Sequence, residues 1–116
     1  MRPRFQADAD FNNKIVTGLR RREPSVDIRG ARDGEVIGKL DPEVLLIAAD
    51  AGRILLTHDR TTMPGYFAEL LQVRSSPGVL IVTQDLDIGT AIEDILLIWA
   101  ATDAGEWTDQ IGFLPL

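Results

Sequence analysis

Residues 41–59, DPEVLLIAADAGRILLTHD, contain one complete helix–strand unit. Asp41 has the character of a helix N-cap, with a proline beside it for the first helical position, and Gly52 is typical of a helix end. The run RILLT that follows is short and mostly apolar, which predicts a strand buried on both faces, as in a parallel sheet. Asp59 lies just after that strand, so the segment predicts an α/β fold with a carboxylate at a strand end.

The same alternation of strands and helices extends over the rest of the chain. The predicted strands are 4–7, 25–28, 53–57, 79–83 and 111–116, and the predicted helices follow the Asn12–Asn13 pair and cover 41–52, 64–73 and 88–104. Residues 29–40 form a weakly patterned connection. This order predicts a parallel-rich sheet with helices on both faces, within a single domain over residues 1–116.

The charges are distributed unevenly. The net charge is −6, which argues against broad, nonspecific binding of nucleic acid. All 12 Lys and Arg lie at or before Arg74, whereas residues 75–116 hold seven acids and no base. The acidic segments are interpreted either as solvated helix faces and loops, or as a surface that repels a polyanionic ligand held near the N-terminal bases.

The amino-acid composition also limits the cellular compartments that fit the protein. The chain has no cysteine, so disulfides and Cys-based zinc sites are excluded, and this fits a reducing cytoplasm. No signal peptide is apparent, and the longest apolar run, Ile95–Ala101, is far too short to span a bilayer. The sequence therefore predicts a cytoplasmic protein without a membrane partner.

Carboxylates follow two of the predicted strands. Asp8 and Asp10 end the first strand, and Asp59 follows the third. In parallel sheets the ligand lies outside the carboxyl ends of the strands, and neighbouring strands are about 5 Å apart. Asp8 and Asp59 are therefore expected to lie close enough to share a hard divalent cation, with Asp41 as a third member if its helix points at the same edge.

Several of these residues have simpler interpretations. Asp41 acts either as a helix cap only or as a cap that also contacts metal. His58, the single histidine, is either a hydrogen-bonded loop residue or a general base, and no Ser or Cys at a telling spacing indicates a triad. The run Arg20–Arg22 complements a helix dipole or contacts phosphate.

Three segments together resemble a known family. FQADADFNNKIVTGLRRR, DPEVLLIAADAGRILLTHDRTTMPGYF and SPGVLIV are similar to the small bacterial PIN-like domain proteins, which are related to the PIN-domain ribonucleases of toxin–antitoxin modules. The similarity runs from Arg4 to the last strand. The aspartate after the first strand in this family falls on Asp8, the helix-opening aspartate on Asp41, and the one that ends a later strand on Asp59.

The resemblance implies a three-layer α/β/α sandwich with a mainly parallel sheet of four or five strands. It also implies a Mg²⁺- or Mn²⁺-dependent ribonuclease, with catalysis by Asp8, Asp41 and Asp59 and with Asp10 as a further metal ligand. Thr57, Arg60 and Asn12 are the candidate substrate contacts, with Thr57 bonding either a ligand carboxylate or the phosphate. The implied partners are an RNA substrate and an antitoxin protein.

The sequence also departs from the family pattern, which keeps a second function open. The glutamate expected after the first aspartate is Ala9, and the aspartate and phenylalanine expected after Asp59 are Thr61 and Thr62. The alternative is a catalytically weak or inactive PIN-like module that binds a protein or forms a homodimer through the apolar helix near residues 92–101. A receiver-like phosphoacceptor domain fits less well, since no lysine follows Lys39.

Overall fold

The sheet has five strands, all parallel, in the order β2-β1-β3-β4-β5. The computed structural model describes all 116 residues. The elements are β1 (Phe5–Ala7), α1 (Asn13–Arg22), β2 (Ile28–Arg29), α2 (Asp41–Asp50), β3 (Ile54–Thr57), α3 (Met63–Leu71), β4 (Val79–Val82), α4 (Ile88–Ala101), a 3₁₀ turn (Ala104–Trp107) and β5 (Ile111–Leu114). The predicted α/β class with helices on both faces is confirmed.

The helices form two layers that cover opposite faces of the sheet. Helices α1 and α4 pack together on one face, where alternate strand residues such as Leu56 and Leu80 enter a cluster of 17 buried residues. Helices α2 and α3 cover the other face, where Leu55 and Ile81 enter a separate cluster of ten. Every residue of β3 and β4 is buried, because both strands lie between two helical layers.

The second strand is shorter than the sequence predicts. Strand β2 begins at Ile28 and pairs with β1 over only two residues, whereas 25–28 was the predicted range. Pro24 lies in a turn that is closed by a 3.0 Å hydrogen bond from the Val26 N–H to the Glu23 carbonyl. Ser25 and Val26 therefore belong to the turn that follows α1, and the extended strand begins only after them.

Several predicted helix ends are wrong by one to three residues. Helix α2 ends at Asp50 instead of residue 52, and α3 covers Met63–Leu71 instead of 64–73. Helix α2 includes Asp41, and Leu40 is its N-cap, so the prediction of Asp41 as N-cap is wrong. Helix α4 ends at Ala101 instead of continuing to Ala104, because Thr102 takes an extended conformation and its hydroxyl donates to the Ile98 carbonyl. The N-cap at Asn12 and the left-handed Gly52 after α2 are confirmed, with a φ of +67° at Gly52.

The last crossover connection differs in hand from the other three. The chain continues from β3 to β4 to β5 in one direction across the sheet, but α3 and α4 lie on opposite faces. The connections through α1, α2 and α3 share one hand, and the connection through α4 has the other. Since parallel crossovers are right-handed in roughly 98% of cases, α4 occupies the less common position.

Helix α4 is the longest in the protein, and it is apolar on more than one side. Ile92, Ile95 and Ile98 are buried against the sheet and α1, whereas Leu97 is 56% exposed. None of the helices combines the length and the apolar character that crossing a membrane requires.

Candidate functional site

An acidic cavity lies at the carboxyl edge of the sheet, between the ends of β1 and β3. At this point the strand order reverses, since β1 is followed by β2 on one side and β3 starts the other side. Its volume is about 250 Å³. It is lined by Asp8, Asp10, Asp41, Thr57, His58, Asp59 and Gln84. The structure thus brings together all four carboxylates that the sequence singled out, and no Lys or Arg lines the cavity. Open parallel sheets bind ligands at this kind of position.

Asp8 is held by the first and third strands together. Its backbone N–H donates to the Leu56 carbonyl at 2.9 Å, continuing the ladder one residue beyond β1. Its side chain accepts 3.0 Å and 2.8 Å hydrogen bonds from the Thr57 hydroxyl and the Ala9 N–H. Thr57 is buried and therefore fixes this carboxylate, which is the first of the two roles expected for Thr57.

Asp59 is held by the residues that follow it. Its carboxylate accepts hydrogen bonds from the Thr61 and Thr62 N–H groups at 3.1 and 2.9 Å, and from both threonine hydroxyls. Burial raises the pKa of Asp59, but the hydrogen bonds from Thr62 and Thr61 outweigh burial and hold the pKa below its usual range. Thr61 and Thr62 thus stabilise the ionised form of Asp59 and turn the chain into α3.

Asp41 is in the opposite situation. It is the first residue of α2, and its carboxylate has no hydrogen-bond partner. The only side-chain acceptor at the start of this helix is Glu43, which accepts from the Leu40 N–H at 3.4 Å. Burial raises the pKa of Asp41, and the negative charges of Asp8, Asp59 and Asp10 raise it further. Capping is therefore wrong in both interpretations of Asp41, because its carboxylate caps nothing, and contact with a metal stays a prediction.

The arrangement limits the kind of metal site that these residues can form. No group of three or more His, Asp or Glu side chains is arranged to hold one ion directly. Mg²⁺ commonly keeps several waters and takes only one or two carboxylates together with a substrate phosphate. Asp41 and Asp8 as direct ligands, with Asp10 beside them, fit a site of that open type. Asp8 and Asp59 both accept hydrogen bonds, and such bonds orient a ligand carboxylate while leaving it able to bind an ion.

His58 joins three parts of the structure. Its Nε2 accepts a 3.1 Å hydrogen bond from the Asn12 N–H, so its proton lies on Nδ1, which donates to the Val82 carbonyl at 2.9 Å. Its ring stacks on Phe11 with the centroids 4.6 Å apart. With both nitrogens engaged, His58 is the hydrogen-bonded loop residue of the sequence analysis, and nothing in its contacts supports a general base.

Replacing His58 with alanine is expected to lower the free energy of unfolding by about 1–3 kcal/mol, because the Asn12 N–H and the Val82 carbonyl lose their partner. Urea denaturation measures this loss. Binding of Mn²⁺ by the folded variant is expected to stay close to that of the native protein. A loss of metal binding with unchanged stability would instead make His58 a ligand.

The other candidate substrate contacts lie outside the acidic cavity. Asn12 caps α1 by accepting from the Lys14 N–H at 2.9 Å, and Arg60 is exposed without a side-chain hydrogen bond in the structure. Gln84 lines the cavity but was missed in the sequence, because an amide carries no metal motif. The available signal was its position soon after the buried strand β4.

Comparison of the chain with protein-family models, with curated proteins and with solved structures finds no match. The function is therefore argued from the geometry of the acidic cavity.

Proposed function

We propose that the protein is a Mg²⁺- or Mn²⁺-dependent ribonuclease of the PIN-like kind that hydrolyses phosphodiester bonds at the acidic cavity. The observation that carries this proposal is the carboxylate of Asp41. It stays unpartnered beside three other carboxylates in a cavity that no Lys or Arg lines. Like charges in such proximity oppose one another, and a bound divalent cation removes that cost.

The residues that line the acidic cavity would have different roles in this function. Asp41 and Asp8 would bind the cation directly and Asp10 through one of its waters, and Thr57 orients the carboxylate of Asp8 through its 3.0 Å hydrogen bond. A bound Mg²⁺ or Mn²⁺ supplies charge stabilisation on the phosphate and lowers the pKa of an attacking water. Without the cation, the carboxylates would repel a phosphodiester, so the proposal ties substrate binding to metal binding.

A second cavity beside the acidic one supports a polyanionic substrate. It has a volume of about 370 Å³, shares Asp8 with the acidic cavity, and is lined by Arg20 and Arg32 as well. Arg20 donates a 3.0 Å hydrogen bond from Nη2 to the Ile28 carbonyl and forms a 3.5 Å pair with Asp33, which leaves its Nη1 and Nε without a partner, and its side chain is about half exposed. These arginines are available to contact backbone phosphates of RNA on either side of a scissile bond.

Replacing Asp8 with asparagine is expected to reduce Mn²⁺ affinity and RNA cleavage by about a hundredfold or more, because a charge that binds the cation is lost. Calorimetric titration with Mn²⁺ measures the first effect, and cleavage of a mixed RNA pool measures the second. Glu93→Gln is the matched control, since Glu93 is exposed on α4, does not line the cavity and has no side-chain hydrogen bond. Native binding and cleavage in the Asp8 variant would refute the proposal.

A protein-binding module remains the second candidate, and a specific surface favours it. Leu97, Phe113 and Leu116 are each more than half exposed, and β5 is an edge strand that pairs only with β4. An open edge beside apolar side chains is a template for a second copy or for a partner such as an antitoxin. Light scattering separates these occupants, since a mass of two chains favours the homodimer.

A further inference from the structure

A third cavity lies at the opposite edge of the sheet, where the strands begin. Its volume is about 370 Å³, and its lining includes Arg4, Gly52, Arg74, Ser75, Ser76 and Thr108. These residues come from the segments just before β1, β3, β4 and β5. No Asp or Glu lines it, although the chain holds 18 of them. The two edges of the sheet therefore present cavities of opposite character.

Arg4 has few partners for a half-buried cation. Its Nη2 donates only to the Gly52 carbonyl, at 3.5 Å, and its buried Nε has no hydrogen-bond partner. No carboxylate pairs with it in the structure. A Cβ at residue 52 would lie 2.6 Å from Nη2, so the glycine there leaves the space that the guanidinium occupies. A guanidinium carries five N–H donors, and a buried donor without an acceptor is costly.

The other polar groups of the cavity can also donate. Arg74 uses Nη1 for Asp50 and Nε for the Ser75 carbonyl, which leaves Nη2 available. Ser76 is only 5% exposed, and its Oγ accepts a 3.0 Å hydrogen bond from the Gly78 N–H. The hydroxyl proton of Ser76 is therefore free to be donated. Donors from three side chains thus surround a space that holds no carboxylate.

We propose that this cavity binds a small tetrahedral oxyanion, either inorganic phosphate or the phosphate group of a small metabolite. Arg4 supplies the uncompensated charge, and Arg74 and Ser76 supply further donors. Such an anion accepts several hydrogen bonds at once, which matches the available donors of Arg4, Arg74 and Ser76. The proposal is independent of the ribonuclease, because the two cavities lie at opposite edges of the sheet and share no residue.

The test is a titration of the full chain with sodium phosphate, followed by NMR shifts of the Gly52, Ser76 and Gly78 amides. Sodium chloride at equal ionic strength is the control for nonspecific screening. We expect saturable shifts with phosphate and none with chloride. Shifts that do not saturate at millimolar phosphate, or equal shifts with both salts, would overturn the proposal.

Variants then identify the group responsible. Arg4→Met is expected to weaken phosphate binding about tenfold or more, as for the loss of a hydrogen-bonded charge. Arg74→Met tests the same site at an exposed position, where little effect on folding is expected, and should weaken binding severalfold. Arg22→Met removes the same charge from the exposed end of α1 and should change nothing. Equal affinity in the Arg4, Arg74 and Arg22 variants would also refute the site.

Discussion

Asp41→Asn is expected to raise the melting temperature of the metal-free protein by about 2–5 °C while it reduces Mn²⁺ affinity and RNA cleavage by about a hundredfold. The gain arises because the Asp41 carboxylate has no hydrogen-bond partner and faces the charges of Asp8, Asp10 and Asp59. The loss arises because this same carboxylate has no hydrogen-bond partner and is free to bind a cation. One carboxylate is therefore expected to lower the stability of the metal-free protein and to support metal binding and cleavage.

The pH dependence of this gain has a defined sign. The pKa of Asp41 is raised above its ordinary value of 3.8, so the folded state favours the protonated carboxyl. That contribution is present below pH 3.8 and is lost as the pH rises through the folded-state pKa. The difference in melting temperature between the variant and the native protein should therefore be small in acid and should increase toward neutral pH.

Saturating Mn²⁺ provides the decisive comparison for Asp41. The ion should raise the melting temperature of the native protein and of Glu93→Gln, but not that of Asp41→Asn, because a ligand stabilises only the state that binds it. Asp59→Asn is less informative, since it also replaces Oδ2, the acceptor of the Thr62 hydroxyl, with an NH2 group and removes the charge that the threonine hydrogen bonds stabilise. A native-like response of the Asp41 variant to Mn²⁺ would exclude Asp41 as a ligand.

Gly78→Ala is expected to lower the free energy of unfolding by about 3 kcal/mol or more. Gly78 has a φ of +112°, where residues with a Cβ are strained, and a Cβ there would lie 2.5 Å from the Trp107 carbonyl oxygen. That oxygen is itself fixed by a 2.9 Å hydrogen bond from the Gln110 N–H, at the start of β5. The backbone cannot yield without disturbing the pairing of β4 and β5.

Gly65→Ala is the matched control for that substitution. Gly65 is exposed within α3, and no atom lies within 4 Å of the position of an added Cβ. Because alanine favours helix more than glycine does, this variant should gain about 0.5–1 kcal/mol. Urea denaturation of both variants measures the contrast, and equal stabilities would show that the approach of Gly78 to Trp107 does not constrain the chain.

Most of the fold and the convergence of the acids could be predicted from the sequence. The short apolar runs predict buried strands, and parallel strands bring their carboxyl ends to one edge, which is why Asp8 and Asp59 could be placed together. The helix start placed Asp41 at the same edge. The limits of β2 were not predictable from hydrophobicity, because the turn at Pro24 uses residues that a strand pattern also accepts.

The remaining features depend on contacts that a linear pattern does not record. The threonines after Asp59 were interpreted as missing family residues, although an aspartate followed by hydroxyl residues is also a local turn signal. Donors that meet in the cavity around Arg4 come from segments before different strands. The broad apolar surface of α4 was interpreted as the contact of a homodimer, whereas its side toward α1 and the sheet is buried within the domain, a contact between distant segments that the sequence pattern does not record.

The two hydrophobic clusters differ in how much of the chain each requires, and this bears on synthesis at the ribosome. The cluster under α2 and α3 is built entirely from Val36–Ile81, so it can consolidate while the C-terminal third is still being translated. The cluster under α1 draws on residues from Phe5 to Leu114 and needs α4 on the face reached by the reversed crossover. Until α4 and β5 emerge, α1 and β1 leave apolar surface uncovered, and that interval is when a nascent chain most needs a chaperone.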